Sequence, residues 1–135
     1  MYEIIETEFL GAQIFKAIFS GEINRELVIR LIDDMAHREE SHPKCQLLVD
    51  LTQISKNSLD IEDIKEIVNH VKANSIRQGK MAFLTGDNLS HYLLLKLYVD
   101  LVGVFKSNLD QVFKFEEEAL DWLEMPKGYE ISYSK

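Results

Sequence analysis

Hydrophobic and polar positions along this chain follow two periods, and each change of period marks an element. Met1 to Thr7 and Ala12 to Ser20 read as extended segments around Gly11, the second rich in Ile and Phe. Gly21 is expected to end that pair. Leu27, Val28, Leu31, Ile32 and Met35 then recur at helical spacing, which predicts a helix from about Arg25 to Arg38. Asn24 is its N-cap, Ile23 and Val28 form a hydrophobic staple, and Pro43 closes it. Gln46 to Asp50 is a short apolar run, the mark of a strand buried on both sides. Asp60 caps a second helix, with Leu59 and Ile64 as its staple and Ile61, Ile64, Ile67, Val68 and Val71 as its inner stripe. Met81 to Leu84 and Val112 to Phe115 read as two further strands. Glu116, Glu117 and Glu118 fill the first turn of a final helix, where the macrodipole favours acids, and Ala119, Leu120 and Leu123 face inward.

The expected order is therefore β-β-α-β-α-β-α-β-α. A hairpin followed by strand–helix alternation implies a mixed sheet whose later strands are parallel, joined by right-handed crossovers. One α/β domain is expected over residues 1–125, with a C-terminal tail at 126–135. Tyr129, Ile131 and Tyr133 alternate in that tail and fit an edge strand or a loose end equally well.

The segment Leu89 to Phe105 departs from this regular picture. As a helix its apolar side chains cover well over half of the circumference, against the ~100° stripe of an ordinary amphipathic helix. Only Lys96, Asp100 and Gly103 mark a narrow polar strip. Leu93, Leu97, Leu101 and Val104 form one flank, and Tyr92, Leu95, Val99 and Val102 form the other. Tyr98 and Phe105 lie between them as core anchors. A small sheet covers only part of such a surface, so the remainder calls for a partner subunit, an apolar ligand or a membrane surface. The Tyr92 flank is the favoured contact surface, because tyrosine suits a wet boundary. Tyr92, Leu95, Tyr98, Val99 and Val102 are thus the candidate ligand or interface residues.

Composition narrows the class. At 135 residues the chain forms one domain able to bury a core, and its net charge of −8 argues against nucleic acid as a ligand. The same charge opposes docking on anionic lipid, although peripheral membrane contact stays open. A single cysteine, Cys45, in an apolar run suits a reducing compartment. With no signal-like segment at the start, a cytoplasmic location is expected.

Three phrases carry a resemblance: Leu47-Leu48-Val49-Asp50-Leu51-Thr52, Lys80-Met81-Ala82-Phe83-Leu84, and Phe115-Glu116-Glu117-Glu118-Ala119-Leu120-Asp121-Trp122-Leu123. With the element order they resemble the bacterial STAS or SpoIIAA-like superfamily over almost the whole chain. The terminal Ala-Leu-x-Trp-Leu phrase points to its branch of uncharacterised SpoIIAA-like proteins, whose fold also resembles lipid-carrying Sec14-type domains. The resemblance implies a single SpoIIAA-like domain. Anti-sigma-factor antagonists of this superfamily carry an Asp-Ser-Ser-Gly turn with a phosphorylated serine. Here the stretch is Ser58-Leu59-Asp60-Ile61, so Leu59 or Asp60 stands at the phosphosite-equivalent position and the switch is not carried over.

Catalytic constellations are weak. Asp50 and Thr85 end neighbouring strands, but the acidic pair and terminal lysine of a phosphoacceptor site are missing, so Asp50 is read as capping turn amides near Leu51 to Gln53. His37 and His42 are five apart and do not share a helix face, which makes a metal site unexpected. His70 and His91 have no nucleophile at motif spacing. No cofactor, metal or catalytic residue is expected. The favoured function is a non-enzymatic binding module carrying a small non-polar molecule, working as a homodimer. The alternative is a STAS-like protein–protein interaction module without the serine phosphoswitch.

Overall fold

The computed structural model describes residues 2–9, 12–42, 45–74, 79–105 and 109–123. The tail at 126–135, the turn at Gly11 and the helix stop at Pro43 lie outside them. The elements run β1 (Tyr2–Phe9), β2 (Ala12–Ile23), α1 (Arg25–Ser41), β3 (Gln46–Asn57), α2 (Ile61–Asn74), β4 (Met81–Leu84), α3 (Leu89–Val102), β5 (Asp110–Phe113) and α4 (Glu116–Trp122). They build a five-stranded sheet of order β1-β2-β3-β4-β5. Strand β1 pairs antiparallel with β2, and every later pair is parallel.

The expected order needs one correction: the double-β start is not part of the domain's repeating plan. That plan is the alternation β-α-β-α-β-α-β-α from β2 to α4, in which each new parallel strand is laid beside the last. Strand β1 stands outside it as an antiparallel addition that pairs only with β2.

Two strands are longer than their apolar patterns suggest. Gly21 does not end β2. Its backbone sits at φ 72, and register shifts between Ile18 and Ser20 and between Gly21 and Glu22 carry the strand on to Ile23. That conformation costs glycine little. The extension gives β3 a partner beyond Asp50, so the polar run through Asn57 becomes strand: Ser20 pairs with Gln53, Gly21 with Ile54, and Ile23 with Asn57. Strand β5 begins at Asp110, two residues before its expected start, while Lys114 and Phe115 turn into α4.

Strand alternation divides the core in two. Phe15, Ala17, Phe19, Leu47, Val49, Leu51 and Phe83 belong to a large cluster shared with α1, α2 and α3. Ile14, Leu48, Ala82 and Leu84 meet Ala119 and Leu123 of α4 in a smaller one. The crossover helices form one layer in which α2 packs against both α1 and α3. Helix α3 therefore lies at the end of the layer, beside α2 and over β5, at one edge of the sheet.

Capping explains where the helices start. The Asn24 side chain accepts from Leu27 N at 3.0 Å, and Asn88 accepts from His91 N at 2.9 Å. Asp60 and Asp63 cap reciprocally: Asp63 N donates to Asp60 Oδ1 at 2.8 Å and Asp60 N to Asp63 Oδ2 at 3.2 Å. Helix α3 stops short of Phe105. After Gly103 its bonding tightens, with Val104 N donating to Leu101 O and Phe105 N to Val102 O.

Candidate functional site

The three-helix layer and the sheet decide which side of α3 is covered. Tyr98 and Val102 are buried, and Tyr98 meets the edge of the Phe83 ring with centroids 5.5 Å apart and planes at 81°. Tyr92, Leu95 and Val99 are half-buried and pack on the large core cluster. Lys114 Nζ lies 5.5 Å from the Tyr92 ring centroid, which ties that tyrosine to the end of β5. The Tyr92 flank thus faces protein. The apolar surplus is on the opposite flank, where Leu93 is 58% exposed and Leu89 and Val104 are also open to solvent. The reason is position: with α2 on one side and β5 beneath, the outward face of α3 has no neighbouring helix among the described residues.

Under α3 lies a cavity of about 50 Å³, lined by Phe19, Met35, Ile64, Phe83, Leu95 and Tyr98 among others. An apolar cavity that binds benzene is about 150 Å³. The space cannot take an acyl chain, and α3 at 14 residues is too short to thread one. These findings overturn the expected carrier of a non-polar molecule. Among the described residues no helix is long and apolar enough to cross a membrane.

His91 lines the same cavity, and its Nδ1 is buried without a hydrogen-bond partner. Burial pushes the ring's pKa below the ordinary histidine value. The unfolded chain then binds protons more readily than the folded one near pH 6, so protonation favours unfolding. Stability should fall as pH drops through the unfolded value of about 6.5, and the loss should level off below the folded value. Thermal melts at pH 7.5 and 5.5 should show a smaller difference in His91→Leu than in the wild type.

The phosphosite-equivalent residues sit at the start of α2. Leu59 is half-buried against the core and Asp60 is the exposed helix cap just described. Neither offers a hydroxyl. Nearby Ser58 donates from Oγ to Glu22 Oε2 at 2.5 Å. Ile61, on the first turn of α2, is 55% exposed. With Leu89 and Leu93 it places three open aliphatic side chains near the N-terminal ends of two adjacent helices, at the carboxyl edge of the parallel strands.

Sequence reasoning missed two buried charges, Lys16 and Asp110. Lys16, 3% exposed, extends from β2 on the α4 face of the sheet. Its Nζ is 3.5 Å from Asp50 Oδ2 and 2.9 Å from Glu116 Oε1. Asp50 Oδ1 accepts from Thr52 N at 2.8 Å and Thr52 Oγ1 at 2.6 Å, but the expected turn at Leu51 to Gln53 is strand β3, so the carboxylate holds strand backbone and caps no turn. A lysine at an inward position between Ile14 and Ile18 was the available signal. The other end of α4 is held by a second lysine. Lys80 Nζ donates to Trp122 O at 3.0 Å and lies 5.1 Å from the Trp122 ring centroid.

The remaining chemical candidates are dispersed. Thr85 Oγ1 donates within its own turn, to Gly86 O at 3.2 Å. His70 Nε2 joins α2 to Asp33 of α1 at 2.7 Å, and the His42 ring packs edge-on against Phe15. His37 is exposed and its Nδ1 lies 3.5 Å from Glu40 Oε2 on the same helix. Cys45 is buried and forms no disulfide. No cluster of three or more His, Cys, Asp or Glu side chains suited to a metal occurs among the described residues.

The fold has known counterparts. An uncharacterised protein of the DUF3478 family from Shewanella loihica PV-4, solved with a SpoIIAA-like fold, superposes with a TM-score of 0.58 at 16% identity, over 90% of this chain and 93% of that one. The fold is SpoIIAA-like. The anti-sigma factor antagonist SpoIIAA in its unphosphorylated form gives a TM-score of 0.52 at 12% identity, over 92% and 96% of the two chains. An anti-sigma factor antagonist from Mycobacterium paratuberculosis gives 0.51 at 13% identity, over 92% and 95%. No family model and no curated protein matches the chain. None of these SpoIIAA-like structures supports the expected kinship with Sec14-type carriers.

Proposed function

We propose that the chain is a non-enzymatic protein-interaction module of the STAS kind, which binds its partner without a serine phosphoswitch. The observation that carries this reading is the open aliphatic group of Ile61, Leu89 and Leu93 where α2 and α3 begin. Exposed aliphatic side chains such as these are costly in water and suit the apolar centre of a protein interface. Two of the similar structures are named for antagonising another protein, a role of binding rather than catalysis. Asp60 fixes the helix start through its carboxylate and offers no hydroxyl to phosphorylate.

The test is affinity purification of the tagged full chain from its own cells, followed by rebinding with the purified partner. A stoichiometric protein that rebinds the wild type and is lost with Ile61→Asp is the expected result. Ile61 is on the surface, so circular dichroism should show the variant folded. Absence of any rebinding protein, or equal binding by Ile61→Asp, would overturn the reading.

A further inference from the structure

The outward face of α3 has an internal symmetry of its own. At 100° per residue, Lys96, Leu89, Asp100, Leu93, Val104 and Leu97 fall, in that angular order, within an arc of about 100°, with Leu97 half-buried against the core at one border and Val104 in the turn just past the helix end. Along the chain they are arranged evenly about the midpoint between Lys96 and Leu97. Leu89 and Val104 are equidistant from that point, and so are Leu93 and Asp100. Lys96 and Asp100 form no ion pair with each other among the described residues. A groove of about 410 Å³ runs beside the C-terminal half of this face, lined by Lys96, Val99, Asp100, Val104, Leu109 and Gln111.

We infer that this face pairs with a second copy of the same chain, the two α3 helices lying antiparallel across a two-fold axis near Lys96 and Leu97. The inference rests on the interaction-module reading and divides its open surface: Leu89 and Leu93 on α3 meet the second copy, which leaves Ile61 on α2 for the other partner. An isologous interface requires one patch to complement itself, and this one does. Reversal sets Leu89 opposite the partner's Val104, and Leu93 beside the partner's Asp100. Lys96 then sits about three residues, or roughly 4.5 Å along the axis, from the level of the partner's Asp100, within reach of a lysine side chain. Both such ion pairs form at once. The partner's Leu89 and Leu93 arrive at the mouth of the groove, and the same holds in reverse. The chain carries net charge −8, so two copies repel at long range. An interface that places its one lysine against the partner's one aspartate meets that repulsion locally. A differently charged apolar partner would leave Lys96 and Asp100 without this reciprocal use.

Sedimentation velocity of the full chain at micromolar concentration tests it, with Lys96→Asp, Asp100→Lys and Leu93→Asp. The wild type should sediment as a dimer. Each charge reversal should weaken association about tenfold or more, because it sets like charges together twice. An equimolar mixture of Lys96→Asp and Asp100→Lys should recover the dimer as a heterodimer, since each copy then offers the sign its partner needs. That recovery cannot come from a folding defect. A monomeric wild type overturns the pairing, and so does a dimer indifferent to the reversals or a mixture that fails to recover. A partner captured through Ile61 by a monomeric chain would leave the proposed function intact, whereas a dimer with no such partner would remove that function alone.

Discussion

Replacing Lys16 with methionine should lower the unfolding free energy by about 3–5 kcal/mol, because one partner of a buried ion pair is removed and the other stays. Asp50 is the partner left behind. It is buried, and it keeps only the donors of Thr52. Glu116 matters less, since its side chain is 37% exposed and can turn to water. Lys16→Met/Asp50→Leu should recover most of the loss, because apolar groups of similar volume often replace buried ion pairs at little cost. Urea titrations of the wild type, the single variant and the double variant check this. A single variant within 1 kcal/mol of wild type, on the scale of an ordinary surface pair, would show that Lys16 contributes no more than its methylenes.

Tyr98→Ala should cost a comparable ~3–5 kcal/mol, for a different reason. The ring fills the interval between α3 and β4, and its edge contact with Phe83 adds ~0.5–1.5 kcal/mol beyond area burial. Removing it enlarges a cavity already present beneath the helix. Leu93→Asp, five residues earlier on the outward face, should change monomer stability by less than about 0.5 kcal/mol. Chemical denaturation with both variants thus separates the two sides of α3: one holds the domain together, and the other is free to meet a partner. Equal losses from the two substitutions would contradict the burial described for them.

Much of this architecture was legible in the chain. The caps Asn24 and Asp60, the stripe of α1, that of α2 apart from the exposed Ile61, and the buried run Met81–Leu84 are local signals, and local physics decides them. The length of β3 was not legible, because Thr52 to Asn57 is polar and becomes strand only where β2 continues past Gly21 to pair with it. The free flank of α3 was hidden for another reason. Both flanks are apolar, and the single tyrosine used to rank them does not decide which one is covered. What ranks them is the lateral place of α3 at the end of its layer, which follows from strand order. Lys16 was missed because a strand pattern records alternation, and its partners lie far along the chain.

That separation has a consequence for synthesis. Lys16 and Glu116 are 100 positions apart. At about 5–20 residues per second a ribosome needs roughly 5–20 s to travel from one codon to the other. Asp50 emerges early in that interval and α4 only at its end. Through most of it the nascent sheet carries Ile14 and Leu48 with nothing laid over them, and that is when a holding chaperone would find its site.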